Sequence, residues 1–332
     1  DDVIWGCVTQ AGEQTGDIAR TAALSAGLPE SVTGVTVDRQ CGSSQQALHF
    51  AAAGVASGQY DIAIAGGVES MSRNPMFSSS MGKSPYGTKF KDRYQGDDPN
   101  QGIGAEMIAE KWGFSRTELD EFAVRSHELA AAATDAGAFE SQIIPVETEN
   151  GTVSVDEGIR RGGSVEKLAK LQTVFKEDGV IHAGNASQIS DGSAAMLVMS
   201  SQRAKELGLT PLVRVHTAVL AGADPIMMLT APIPATEKAL KKSGLSINDI
   251  GTFEINEAFA PVPLAWLKET GANPDLLNPH GGAIALGHPL GGSGARLMST
   301  MIHNMVNNNI KYGLQSMCEG GGQANATILE LL

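Results

Sequence analysis

One plan occurs twice in this chain, and that repetition limits the fold more than any other feature. In the first copy a β-branched run at 34–37 leads to Cys41, an Ala-rich helix over 43–56, a stop at Gly58, and an apolar strand at 61–65 closed by Gly66-Gly67. In the second, a turn over 281–294 with six glycines carries His288 into a helix over 295–306 and a strand at 314–317 that runs to Gly320-Gly321-Gly322. Strand, turn, helix, strand and glycine at this spacing describe a parallel α/β unit, and its recurrence predicts an internal duplication.

The rest of the chain fits around these two units. A strand at 3–8 and a helix at 15–27, with Asp17 near its start, precede the first. From Met71 the texture changes: Pro75, Ser78-Ser79-Ser80, Pro85-Tyr86-Gly87 and Pro99 mark an irregular excursion, followed by helices over 104–112 and 116–136. The expected division is an N-terminal half at 1–70, rejoined by about 189–210, an inserted unit at 71–188, and a C-terminal half at 211–332. In that last half, strands at 212–220 and Thr252–Ile255 alternate with helices at 235–243 and Pro261–Thr270.

Composition removes several function classes. Against 24 Lys and Arg stand 37 Asp and Glu, a net charge of −13, which argues against a nucleic-acid binder. No apolar run approaches the ~18 residues that cross a bilayer, so no membrane span is expected. Cys7, Cys41 and Cys318 are too few and too far apart for a disulfide framework or a zinc site. A reducing, cytoplasmic setting is therefore expected, with no metal. Asp1-Asp2 does not resemble a signal peptide, and no Met opens the chain, so organellar targeting by a preceding segment stays open.

Four places could carry chemistry. Cys41 sits between a strand and a helix, where the positive end of the helix dipole would lower a thiol's pKa; a buried structural cysteine is the alternative. His288, held between Gly287 and Pro289, could activate a thiol. Cys318 precedes a glycine turn whose amides could stabilise an oxyanion, although a cysteine at a strand end is more often core. Asn256, directly after the strand Thr252–Ile255, reads equally as a helix cap or as a site residue.

Taken in order, Cys41-Gly42-Ser43-Ser44, Asn256-Glu257-Ala258-Phe259, Gly287-His288-Pro289-Leu290-Gly291 and Cys318-Glu319-Gly320 resemble the thiolase family of acetyl-CoA acyltransferases. Gly66-Gly67-Val68-Glu69-Ser70-Met71-Ser72 and Gly184-Asn185-Ala186-Ser187 are similar to family segments too, so the resemblance spans the chain. It implies a duplicated five-layer αβαβα fold with an inserted loop domain that covers coenzyme A. It also implies a ping-pong exchange in which CoA and acyl-CoA are substrates and no cofactor is permanently held. Cys41 would be the acylated nucleophile, and His288 its activator and part of a first oxyanion hole. Asn256 would hold the water completing that hole, and Cys318 would be the acid/base. The amides of Cys41 and Gly320 would form a second hole. Of the basic stretches Lys83, Lys89, Lys91, Arg93 and Arg160, Arg161, Lys167, Lys170, Lys176, the second would cover the nucleotide. Arg160 would contact phosphate or adenine, Ser187 the pantetheine arm, and Phe259 the same channel. A homodimer or homotetramer is implied.

The chain departs from the family pattern in three places. The biosynthetic members' His-Met-Gly segment reads Asn100-Gln101-Gly102 here, Gln188 and Ser190 replace Gly and Asn, and Asp38 stands for Asn. The first two departures favour a degradative thiolase acting in fatty-acid β-oxidation or lipid degradation on larger 3-ketoacyl groups, over a biosynthetic acetoacetyl-CoA enzyme. The pair of cysteines disfavours a decarboxylating ketoacyl synthase. An inactive scaffold or lipid-binding subunit would be expected to lack Cys41 or His288. The family's opening strand and helix are expected to precede Asp1 in a longer polypeptide; were they absent from it, one edge of the first sheet would be exposed.

Overall fold

The computed structural model describes residues 1–332. In its first sheet, β1 (Asp2–Gly6) lies between β2 (Thr33–Val37) and β3 (Ile62–Ser70) and runs parallel to both. The helix α1 (Ile18–Ser25) joins β1 to β2, and α2 (Ser43–Ser57) joins β2 to β3. Asp17 caps α1 through Arg20 N, which moves the helix start three residues past the expected one. Gly58 ends α2 in the left-handed region at φ 76°, a conformation that favours glycine.

The excursion after β3 holds α3 (Thr88–Arg93), α4 (Gln101–Trp112), α5 (Arg116–Asp135), the small hairpin β4 (Val146–Thr148) with β5 (Gly151–Val153), and α6 (Val165–Leu168). A reciprocal Ser115–Glu118 capping box starts α5. The chain then returns as β6 (Asp191–Met199), antiparallel to β3, giving the order β2-β1-β3-β6.

After α7 (Ser201–Glu206) comes the second sheet, built from β7 (Val213–Gly222), β8 (Thr252–Ile255), β9 (Tyr312–Glu319) and β10 (Gln323–Leu331). Its order is β7-β10-β9-β8, with β10 antiparallel to both neighbours and β8 parallel to β9. Between these strands lie α8 (Pro232–Ser243), α9 (Pro261–Thr270), the short α10 (Ala283–Leu286) and α11 (Ser293–Asn308). A proline in the first turn opens both α8 and α9, where its missing N–H is no loss.

The layers follow from which helix touches which sheet. α2 and α11 pack on each other between the two sheets, α1 covers the outside of β1 and β2, and α8 covers β7, β10 and β9. This is the five-layer αβαβα arrangement, with the apolar faces of both sheets buried against the α2–α11 pair. Met298, Met301 and Met305 of α11 meet Ile4, Ala47, Leu48 and Ala51 there.

One sequence expectation fails here for a physical reason. Gly66-Gly67 does not end a strand; β3 continues through both residues to Ser70. A Cβ on Gly67 would lie 2.1 Å from Gly291 O, and one on Gly66 would lie 2.3 Å from Ala194 O. The glycines are there because another backbone approaches, a use of glycine that reads like a turn in sequence. Gly67 lets the His288 loop of the second half seat directly on the first sheet, and Gly66 makes room for β6 and the Trp5 ring.

Candidate active site

Cys41 is buried, in a turn one residue ahead of Gly42, the N-cap of α2. Its neighbour Gln40 has φ 48°, in the left-handed region that costs a side-chain-bearing residue roughly 1–2 kcal/mol. Asp38 offsets this strain: its Oδ1 accepts from Gln40 N at 2.8 Å, closing an Asx turn. Ser43 Oγ reinforces the turn, accepting from Arg39 N and donating to Gln40 O. The Asp at position 38, which had no explanation in sequence, thus fixes the backbone that presents the thiol.

Contrary to the sequence expectation, this thiol's pKa lies well above its ordinary value. Burial pushes it up most, followed by the negative charges possible at Cys318, Glu319 and Asp38, and the helix terminus does not compensate. Cys41 Sγ takes part in no hydrogen bond, and the resting group is a neutral thiol.

His288 is buried, and burial pulls its pKa down to about 4, so the imidazole is neutral. Nδ1 lies 2.6 Å from Ser293 Oγ, whose proton goes to Pro289 O at 2.8 Å. With its single proton spent, the hydroxyl can only accept from the ring, so Nδ1 carries the hydrogen and Nε2 is left as an acceptor, approached by Asn256 Nδ2 at 3.4 Å. The backbone of His288 is fixed as well, its N–H shared between Gln188 O and Ser190 Oγ, each at 3.1 Å. Gln188 in turn donates to Gly158 O and Ile284 O at 2.8 Å each. The two departures from the family pattern therefore brace the histidine loop.

Glu69, which sequence reasoning did not single out, anchors that loop to the first half. Fully buried, it accepts from Val8 N, Thr9 N, Gln14 Nε2 and Gly291 N, all at 2.8–3.0 Å.

Asn256 brings the second half's residues together. Its Nδ2 lies 3.4 Å from His288 Nε2 and 3.9 Å from Cys318 Sγ, while its buried Oδ1 has no partner. The helix-cap alternative fails, because α9 begins at Pro261 with Ala260 as its N-cap. Cys318 is wholly buried near the end of β9, and burial raises its thiol to about 12. Gly320 follows and abuts Gln40: a Cβ there would lie 2.7 Å from Gln40 Oε1, which places the Gly320 turn beside the Cys41 turn.

Two chains of contact thus meet at one buried place. Thiol, imidazole, amide and second thiol arrive from the N-terminus of α2, the loop before α11, the end of β8 and the end of β9.

The remaining predicted residues lie outward of this cluster. A pocket of about 290 Å³ is lined by Arg160, Arg161, Ser164, Lys167 and Gln188 among others. Arg161 is held by Asp135 at 2.6 Å, whereas Arg160 has no ion-pair partner and its backbone N–H donates to His127 Nδ1. Ser187 and Phe259 are neighbours, since Ser187 N donates to Ala258 O and Ala186 bridges to Phe259. Phe259 packs edge-on against Phe175 and does not line that pocket. From the first basic stretch, Lys91 pairs with Asp98, and none of its residues reaches the pocket. Asn100, at the missing histidine's place, caps α4 by accepting from Gly102 N and Ile103 N.

Comparison with known proteins agrees along the whole chain. Residues 1–202 match the thiolase N-terminal domain and residues 209–331 the thiolase C-terminal domain. A steroid 3-ketoacyl-CoA thiolase, FadA6, of Mycobacterium tuberculosis is 52% identical over 100% of this chain and 83% of its own length. A 3-ketoacyl-CoA thiolase of Photobacterium profundum is 46% identical over 99% of this chain and 87% of its own. The crystal structure of a Bacillus anthracis acetyl-CoA acetyltransferase superposes with a TM-score of 0.90 at 38% identity, covering 100% of this chain and 87% of that one. Fold, buried cluster and relatives agree: the chain belongs to the thiolase family.

Proposed function

We propose that this thiolase works in the degradative direction, cleaving 3-ketoacyl-CoA with free CoA to acetyl-CoA and a shortened acyl-CoA. The meeting of Cys41, His288, Asn256 and Cys318 in one buried cluster assembled from both halves carries the thioester chemistry, and the relatives named for 3-ketoacyl-CoA support its direction.

His288 Nε2 takes the Cys41 proton as the sulfur attacks the 3-keto carbon, and the imidazolium with Asn256 stabilises the oxygen anion. When the bond between carbons 2 and 3 breaks, its electron pair stays with the acetyl-CoA enolate, which Cys318 protonates. The thioester oxygen is held by the amides of Cys41 and Gly320. Free CoA then gives its thiol proton to the Cys318 thiolate and attacks the acyl group on Cys41, and the departing Cys41 sulfur takes its proton back from the imidazolium. Substrate binding must bring imidazole to thiol, since Cys41 rests unpaired and protonated.

Arg160 serves as a phosphate or adenine contact, with Lys167 beside it in a basic pocket of the 71–188 insertion, which we take as the coenzyme-covering unit. Ser187 is assigned to the pantetheine arm and Phe259 to the channel wall. We place the enzyme in a reducing, cytoplasmic setting, on the strength of its three free thiols, and propose a homodimer or homotetramer.

Degradation of larger acyl groups is supported by Asn100 standing where a loop histidine marks biosynthetic members, and by relatives at 46–52% identity named for 3-ketoacyl-CoA. The steroid enzyme among them favours bulky ring-bearing esters as a second reading. The test is CoA-dependent thiolysis from acetoacetyl-CoA to long-chain and ring-bearing 3-ketoacyl-CoA. A kcat/KM that rises with acyl size supports degradation, and a maximum at acetoacetyl-CoA overturns it.

A further inference from the structure

Glu319 precedes Gly320, whose amide the mechanism uses, and its carboxyl reaches Gly42 beside Cys41; nothing so far assigns it a role. It lies on β9 between Cys318 and Gly320 and is wholly buried. One carboxyl oxygen accepts from Asn325 N at 3.1 Å; the other has no partner at all. The first oxygen also presses on the nucleophile's turn: a Cβ on Gly42 would lie 2.0 Å from Glu319 Oε1. Asn325 completes the contact, its Nδ2 donating to Gly42 O at 2.9 Å. A buried carboxylate without a cation is costly, and no ion pair involves this one: Arg39 gives its guanidinium to Gln323 Oε1 at 3.1 Å instead.

We propose that Glu319 is a positioning residue for the reaction: its side chain spaces the Cys41 turn from the Gly320 turn, and its charge state governs how readily Cys41 becomes a thiolate. The inference rests on Cys41 being the nucleophile.

The carboxyl fills the space that Gly42 leaves open, so the strand end and the helix end cannot close on one another. Burial raises its pKa to about 8, with Arg39 pulling it down, then the Asn325 N–H, and Asp38 pushing it up. Below that pH it is a neutral acid, harmless to a neighbouring sulfur anion. Above it, the carboxylate opposes negative charge at both thiols, since it raises Cys41 and Cys318 alike. The groups that face Cys41 are thus Cys318 and Glu319 from β9, Asp38 from the preceding turn and, from the loop before α11, His288, which is neutral across this pH range, with Arg39 acting on Glu319.

Two variants of the full chain separate charge from shape. Glu319→Gln keeps the shape and an acceptor for Asn325 N, and Glu319→Ala removes both. The readout is the rate of iodoacetamide alkylation at the Cys41 peptide, followed by mass spectrometry from pH 6 to 10, beside kcat and KM for thiolysis. The Gln and parent profiles should converge towards pH 6 and separate through about pH 8, with Gln at least about threefold faster at pH 9. The Ala variant should lose more kcat than Gln, with KM little changed. Superimposable parent and Gln profiles, or equal kcat for Ala and Gln, overturn the proposal. Absence of acyl mass on the Cys41 peptide after turnover with a 3-ketoacyl-CoA would instead overturn the nucleophile assignment, a separate outcome.

Discussion

Replacing Ser293 by Ala removes a hydroxyl that touches neither thiol yet decides which nitrogen of His288 is the base. In the parent, Ser293 Oγ accepts from Nδ1–H at 2.6 Å and is itself oriented by donation to Pro289 O. In Ser293→Ala, a buried ring N–H loses its acceptor, and leaving such a donor unsatisfied costs about 1–3 kcal/mol. The ring relieves that cost by moving its proton to Nε2, the atom that must receive the Cys41 proton. At about 1.4 kcal/mol per factor of ten, kcat should fall roughly ten- to hundredfold. KM should hold, because Ser293 does not line the pocket that holds Arg160. Steady-state thiolysis gives the split, and the rate of Cys41 alkylation reports the base directly. A kcat within about twofold of the parent, in a protein with unchanged melting temperature, would refute the tautomer argument.

Other perturbations test the supporting structure. Gly67→Ala puts a methyl 2.1 Å from Gly291 O and 2.8 Å from Gly6 O, backbone atoms with nowhere to move. Overpacking of this kind costs about 1–3 kcal/mol, read as a lowered denaturant midpoint, and activity should fall further than stability because the His288 loop is displaced. Glu254 is buried with Oε1 unpartnered, and burial followed by Glu257 raises its pKa well above 4.5. Above pH 4.5 the unfolded chain releases this proton while the native state keeps it, so stability falls as pH rises. Glu254→Gln should therefore stabilise the protein, by more at pH 8 than at pH 5, and urea titrations showing a pH-independent difference would contradict this. Because His288 sits near 4, the acid limb of kcat/KM should lie well below the 6.5 of an ordinary imidazole. A limb centred at 6.5 would mean that the histidine is solvated.

The reach of the sequence can be traced through particular residues. Cys41, His288, Asn256 and Cys318 could be singled out because their chemistry is carried by the side chain, and short glycine-rich contexts mark where backbone comes close. The duplicated strand–helix plan was legible because helix and strand periods survive in a single chain, whereas the five layers were implied only by the family resemblance. By contrast, Glu69 gathers donors from residues up to 222 positions away, and Glu319 meets Gly42 across the interface of the two halves. Such partners are set by packing, not by local pattern. The misplaced end of β3 and the wrong sign expected for the Cys41 pKa share that cause. Both depend on what lies across from the residue, a neighbouring backbone in one case and exclusion of water in the other. Strand β6 escaped notice because Gly192, Ser193, Ala194 and Ala195 give little β signal until β3 pairs with it.

The most direct test of the central claim is to trap the acyl-enzyme. Incubated with a 3-ketoacyl-CoA donor and a limiting amount of free CoA, then quenched in acid and digested, the protein should carry the acyl mass on the Cys41 peptide. Cys318→Ala should retain transfer of a preformed acyl group to Cys41 while losing carbon–carbon cleavage, and Cys41→Ala should lose both. Acyl mass on any other residue, or thiolysis by Cys41→Ala, would contradict the account.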